Sequence, residues 1–181
     1  MVLQRAAGFI AGRGLKGWST ADLARECGLA KNTLYKIIGS KEQLVESIVL
    51  GQIDRTTGLL KTIIRQEDSP RSAKLRMVQE GPSFLAGTTR VTFPEIFREY
   101  PGLERQALDH QRKAAAEIIR FIRKGQKEGH IRPDMRPEFL YDLVQGIVEH
   151  YTRSGLKGDA LADALRKAFI CLREGVRLGD G

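Results

Sequence analysis

Two cysteines in 181 residues, Cys27 and Cys171, are too few and too far apart in sequence to form a disulfide framework. A reducing cytoplasm suits such a chain. No run of about eighteen uncharged residues occurs, and the apolar opening is interrupted by Arg5, so neither a membrane span nor a signal peptide is expected. The three histidines, His110, His130 and His150, stand isolated, with no His-x-x-x-His or Cys-x-x-Cys spacing. Neither a Gly-x-x-x-x-Gly-Lys phosphate loop nor a Gly-x-Ser-x-Gly elbow is present. Nothing here assembles a catalytic mechanism, and no enzyme, cofactor or metal is expected.

What is present is charge of one dominant sign and ample apolar material. At 41% hydrophobic the chain can build a core, and its net charge of +8 suits a polyanionic partner. Residues 1–50 hold seven basic residues against four acidic ones, only +3 of that +8. Charge alone therefore points weakly to any one region.

The informative stretch is Ser19 to Leu44. Ser19 and Asp22 stand at capping-box spacing, and Leu23, Ala24 and Cys27 share one apolar face. Gly28 supplies the left-handed residue that ends a helix without steric cost. After Leu29 and Ala30, a second short helix over Lys31 to Ile38 turns Leu34 and Ile38 inward and leaves Lys31, Asn32, Thr33, Tyr35 and Lys36 outward. Lysines neutralise phosphates, asparagine pairs with an adenine edge, and threonine can touch a base or its methyl group. This is a helix-turn-helix pattern suited to double-stranded DNA. Ser19, Thr20, Lys31, Asn32, Thr33, Tyr35, Lys36 and Lys41 are its candidate DNA contacts. The plainer alternative is a helical hairpin with a solvated charged face.

The same stretch resembles the TetR family of transcriptional regulators. The resemblance rests on Ser19, on Ala24 with Gly28 at the turn, on Thr33-Leu34-Tyr35, and on Lys41-Glu42-Gln43-Leu44 opening the next helix, and it covers about the first fifty residues. Four positions depart from the family pattern. Asn32 stands where glycine is usual, Ala30 where a capping serine is common, Ile37 where histidine or tyrosine is frequent, and Ile38 where phenylalanine is usual. Loss of the cap at Ala30 should cost about 1 kcal/mol.

The rest of the chain reads as helical throughout. Val2 to Arg13 completes a three-helix head, with Trp18 as an apolar staple toward Leu23. From the Ser40 cap a long helix runs to about Arg65, weakened at Gly51 and Gly58 by about 1 kcal/mol each. Further helices are expected from Pro70 to about Leu85, around Phe93 to Tyr100, from Leu103 to Glu128, and over two terminal segments joined by Gly155-Leu156-Lys157-Gly158-Asp159. The fold expected is all-α: a helix-turn-helix head over residues 1–45 joined by a long helix to a ligand-binding and dimerisation body over 46–181.

The two terminal stripes are wide enough to need covering. In the family these helices pair with their symmetry mates, so the resemblance implies a homodimer through Phe139, Leu143, Ile147, Leu161, Leu165, Phe169, Leu172 and Val176. A dyad would present two recognition helices to a palindromic operator. The resemblance also implies a small-molecule effector. Phe84, Phe93, Phe97, Tyr100, Phe121 and Tyr151 are candidates to line an apolar cavity, with His110 and His150 as polar groups. The expected function is a ligand-responsive regulator, a repressor released by a hydrophobic or amphipathic molecule. The competing reading is an all-helical adaptor or ligand-binding protein that does not read DNA sequence. Acids interspersed along the basic faces argue against a membrane-surface helix.

Overall fold

The computed structural model describes residues 1–87 and 93–175. Among them nine helices follow in order: α1 (Val2–Arg13), α2 (Thr20–Glu26), α3 (Lys31–Ile38), α4 (Lys41–Gln66), α5 (Pro70–Gly87), α6 (Phe93–Glu99), α7 (Pro101–Lys127), α8 (Pro137–Arg153) and α9 (Gly158–Gly175). Val176 lies outside the described residues.

Two compact units divide the chain. One comprises Met1–Arg55 with the described part of Thr89–Arg112, the other the described parts of Thr56–Thr88 and Lys113–Gly181. The first therefore gathers more than the three head helices, because the start of α4, all of α6 and the first half of α7 pack with them. Its core is built from Ala6, Leu23, Leu34, Val45, Val49 and Ile96, each with no more than trace exposure. Each large aliphatic side chain so buried contributes about 1.5–3 kcal/mol. Trp18 is buried with its ring 5.9 Å from that of Phe9.

In the second unit α9 packs against α5 and α8. Gly81 makes the first of these contacts close, since a Cβ placed there would stand 3.8 Å from the Phe169 ring. Pro82 lies inside α5 and is fully buried, which removes one helical hydrogen bond at that turn. Two apolar clusters form the core. Ala115, Ile118, Ile122, Ile131, Leu140 and Tyr141 make one. Leu85, Val148, Leu161 and Leu165 make the other. The turn from α7 to α8 is pinned by Gln126, whose Nε2 donates to the carbonyls of Arg132 (3.0 Å) and Met135 (2.7 Å).

Candidate nucleic-acid interface and body cavity

Local chemistry sets the helix-turn-helix. The Ser19 hydroxyl accepts from Asp22 N–H at 3.2 Å while Ser19 N–H donates to Asp22 Oδ2 at 2.9 Å, a reciprocal cap on α2. The Ser19 hydroxyl also donates to Asp22 Oδ2 at 2.6 Å, and that bond first, then the one from Ser19 N–H, holds the Asp22 carboxyl below its ordinary value of 3.8. At the other end Gly28 takes φ 64°, Leu29 N–H reaches the Ala24 carbonyl at 2.8 Å, and Gly28 N–H reaches that of Arg25 at 3.1 Å. That is a Schellman closure, and it re-aims the chain into α3 within three residues. Ala30 caps α3 with no side-chain bond, as its composition requires.

On α3, Leu34 and Ile38 are buried, and Lys31, Asn32, Thr33, Tyr35 and Lys36 are exposed. The Tyr35 hydroxyl lies 2.9 Å from Thr20 Oγ1 and ties the outer face of α3 to the first residue of α2. Six of the eight candidate DNA contacts are thus brought to one side of the α2–α3 pair. The other two serve the protein itself. Ser19 is the cap already described. The Lys41 ammonium donates to the carbonyls of Leu15 and Trp18, each at 3.0 Å, and sits 4.3 Å from the centre of the Trp18 ring. Burial pulls its pKa below the usual lysine value, with Glu99 opposing the shift. Ile37, 58% exposed beside Lys36, is an apolar member of this face.

The second unit encloses a cavity of about 150 Å³. Leu60, Met77, Leu85, Phe121, Tyr141 and Val144 line it, with Lys74 and Arg173 as the cations of its wall. Polar groups at the wall are already engaged: Gln145 Nε2 donates to the Tyr141 hydroxyl at 2.7 Å, and Lys74 Nζ donates to the His130 carbonyl at 3.1 Å. The interior presents carbon almost everywhere.

The aromatic residues singled out from the sequence do not gather here. Of the eight cavity candidates only Phe121 lines it. Phe93, Phe97, Tyr100 and His110 belong to the first unit, where the Phe93 and Phe97 rings lie 5.4 Å apart and His110 Nε2 meets Asp54 Oδ1 at 2.7 Å. Burial raises the Tyr100 pKa, with Glu42 and Glu99 adding to it. Phe84 is exposed on α5, and the His150 and Tyr151 rings pack edge to face at 5.0 Å, with Tyr151 against the Leu85 and Val148 cluster and outside the cavity lining. Helical spacing shows that these residues share faces, not which face encloses space.

The residues expected at a subunit interface also divide. Leu161 and Leu165 are buried within the single chain, Leu165 completely, so they have no area to offer a second subunit. Phe169 and Leu172 line the cavity. Phe139 remains 43% exposed, and Leu143 and Ile147 are half-buried. Sequence reasoning missed Met77, Val144 and Gln145 as cavity residues. Val144 shares the apolar stripe of its helix, whereas Met77 and the polar Gln145 carry no such signal.

A capped α2, a Schellman turn and a short polar α3 whose outer face is free for base edges and phosphates define a DNA-binding regulator of the helix-turn-helix class. The comparisons agree. The family model for bacterial regulatory proteins, tetR family, matches residues 2–48. The HTH-type transcriptional repressor KstR2 of Mycolicibacterium smegmatis is 26% identical over 161 residues, covering 80% of this chain and 72% of that protein. The crystal structure of PfmR from Thermus thermophilus, a TetR family transcriptional regulator, superposes with a TM-score of 0.74 at 18% identity, over 98% of this chain and 99% of that one. FadR of Bacillus subtilis, solved in complex with stearoyl-CoA, superposes with a TM-score of 0.68 at 13% identity, over 97% and 98%. The tetR family model thus matches the helix-turn-helix head, and the chain as a whole shares its fold with solved TetR family regulators. No helix among the described residues is long and apolar enough to cross a membrane.

Proposed function

We propose that the protein is a homodimeric repressor that reads a palindromic operator and is released by a small apolar or amphipathic effector. DNA reading is assigned to residues 1–45, effector binding and dimerisation to 46–181. The observation that carries the reading is the two-sided α3, with Leu34 at 0% exposure inside and the five polar residues Lys31, Asn32, Thr33, Tyr35 and Lys36 outside. A solvated charged hairpin needs neither the Schellman closure nor the Tyr35–Thr20 tie that fix that face.

The effector class follows from the cavity. Its carbon-rich wall favours an aliphatic or alicyclic body, and an anionic end would have to draw Lys74 from the His130 carbonyl or Arg173 from Glu174. KstR2 is named as a repressor, and FadR holds a fatty acyl thioester; both support this reading by kinship. Phe139, Leu143 and Ile147 on α8 are the apolar residues left for a second subunit. A dyad there sets two α3 helices for the two half-sites of one operator. Release requires the effector to bind the DNA-incompetent state more tightly, each tenfold preference supplying about 1.4 kcal/mol. The protein then works in the cytoplasm, where its DNA is.

The test is fluorescence anisotropy on duplexes tiled across the DNA flanking the gene, near physiological salt and with scrambled competitor. A saturable two-fold symmetric site, lost when Lys31, Thr33 and Tyr35 are all replaced by alanine, is the expected result. Binding that disappears under competitor, or that survives the triple replacement, rejects the reading.

A further inference from the structure

We propose that Glu95, on α6 and outside the matched head, is a positioning residue for DNA binding: with Lys41 it clamps the backbone between α1 and α2 and so fixes the start of the helix-turn-helix. The inference rests on the DNA-binding reading of α3 and adds a residue to it.

The segment Gly14 to Trp18 leads from the end of α1 to the Ser19 cap. Its Leu15 peptide groups are held from two sides. Leu15 N–H donates to Glu95 Oε1 at 3.0 Å, and the Leu15 carbonyl accepts from Lys41 Nζ at 3.0 Å. Lys41 holds the Trp18 carbonyl as well, also at 3.0 Å, immediately before the cap. Gly14 lets the carboxylate approach, because its φ is +72° and an added Cβ would stand 3.1 and 3.3 Å from the two Glu95 oxygens. One turn further along α6, Glu99 pairs with Lys16 Nζ at 2.9 Å, so the same helix grips the loop twice. The Leu15 and Trp18 side chains are buried beneath, at 2% and 5% exposure.

The clamp bears on function through the residues C-terminal to it. Trp18 leads to Ser19, Ser19 caps α2, and Thr20 at the head of α2 is tied to Tyr35 on α3. A slack loop therefore tilts the pair that carries the reading face. A binding surface keeps its geometry only while the residues behind it are themselves fixed. The sign of the effect separates this role from simple charge. Removing a carboxylate near DNA would strengthen binding, whereas removing a clamp weakens it.

The experiment compares Glu95→Ala, Glu95→Gln and Glu95→Asp in the full chain. Binding is read on a duplex that the wild type selects from a randomised library, and emission is read from Trp18, the chain's one tryptophan. Glutamine keeps an acceptor oxygen at the same reach, so Glu95→Gln should bind within twofold of wild type. Glu95→Ala should bind at least tenfold more weakly, shift Trp18 emission to the red, and leave the dependence of affinity on salt unchanged, since no phosphate contact is lost. Unchanged affinity in Glu95→Ala, or a loss in Glu95→Gln as large as in Glu95→Ala, overturns the proposal. Should Glu95→Ala fail to fold, Glu95→Asp decides: its carboxylate falls short of Leu15 N–H, a several-fold loss with native helicity supports the clamp, and wild-type affinity overturns it. A wild type that selects no duplex at all overturns the DNA reading, and the clamp's role with it, and is recognised because it needs no variant.

Discussion

Gly58→Ala and Gly125→Ala make the same chemical change in two helices of the second unit and should have opposite effects. Glycine inside a helix is about 0.8–1.0 kcal/mol less favourable than alanine, so each replacement begins with that gain. At Gly58 on α4 a Cβ meets nothing within 4 Å, and the gain stands. At Gly125 on α7 a Cβ would lie 2.8 Å from Ile131 Cδ1, 3.1 Å from its Cγ1 and 3.5 Å from Pro70 Cβ. Ile131 is 5% exposed and packed among Ile118, Ile122 and Leu140, so its methyl can yield only by turning toward the cavity it helps to line and giving up those contacts. Overpacking of that kind costs about 1–3 kcal/mol. Gly58→Ala should therefore be more stable by about 1 kcal/mol, with a Tm rise of about 2–4 °C. Gly125→Ala should be destabilised by up to about 2 kcal/mol. The propensity gain cancels in the difference between them, which isolates the packing cost. Urea unfolding followed by circular dichroism, at one fixed protein concentration, measures it. Equal stabilisation in both variants would refute the argument, because Ile131 would then not be seated against α7 as described.

Three further outcomes are expected. Asn32→Ala should lose about 1–3 kcal/mol of operator affinity and relax preference at one base pair per half-site, measured by competition with single-base operator variants. Ser19→Ala should destabilise the head by about 1 kcal/mol in chemical unfolding. The Ser19 bonds also depress the folded pKa of Asp22, so the stability they lend is present above the unfolded value near 3.8 and is lost as pH falls through the lower folded value. An Asp22 carboxyl titration by NMR should show a higher midpoint in Ser19→Ala than in the wild type, because the hydroxyl bond is lost while the Ser19 N–H bond remains. Phe139→Asp should convert the proposed dimer to monomer in sedimentation equilibrium, whereas Ile37→Asp, more exposed still but on α3, should leave it intact.

What the sequence made legible was what adjacent residues decide. Ser19 with Asp22, Gly28, and the spacing of Leu34 and Ile38 each act within a few residues, and each appears in the structure as read. Roles that depend on residues far apart in the chain were out of reach. Lys41 opens α4 as its position suggests, but its ammonium is drawn to carbonyls 23 and 26 residues earlier. The terminal helices were correctly apolar on one face, yet periodicity cannot say what covers that face. Leu165 went to the core, Phe169 and Leu172 to the cavity, and Phe139 to the surface. The aromatic set around Phe93 to Tyr100 failed as a cavity for the same reason. It packs with the start of the chain, on the side of the Glu95 clamp, and no local pattern marks that choice.

The partners of the head's cations give a number for its DNA affinity. Arg5 pairs with Glu26, Arg13 lies over the Phe9 ring, Lys16 pairs with Glu99, Arg25 faces Asp22, and Lys41 is bound to backbone carbonyls. Of the seven cations in residues 1–50, Lys31 and Lys36 have no partner among the described residues, and both lie on the reading face. Any paired cation that moves to a phosphate leaves a carboxylate beside the duplex or strips a carbonyl of its donor. A dimer should then neutralise about four phosphates, and since log K falls with log salt by about 0.9 per phosphate, the slope should be near −3.6. Lys36→Ala should reduce its magnitude by about 1.8, one phosphate per subunit, at every sequence tested. Anisotropy titrations across a salt series measure both. A wild-type slope of about −7 or steeper would mean that the paired cations have exchanged their partners for phosphates, and the head's ion pairs would then have to be read as the resting state of a surface that rearranges on DNA.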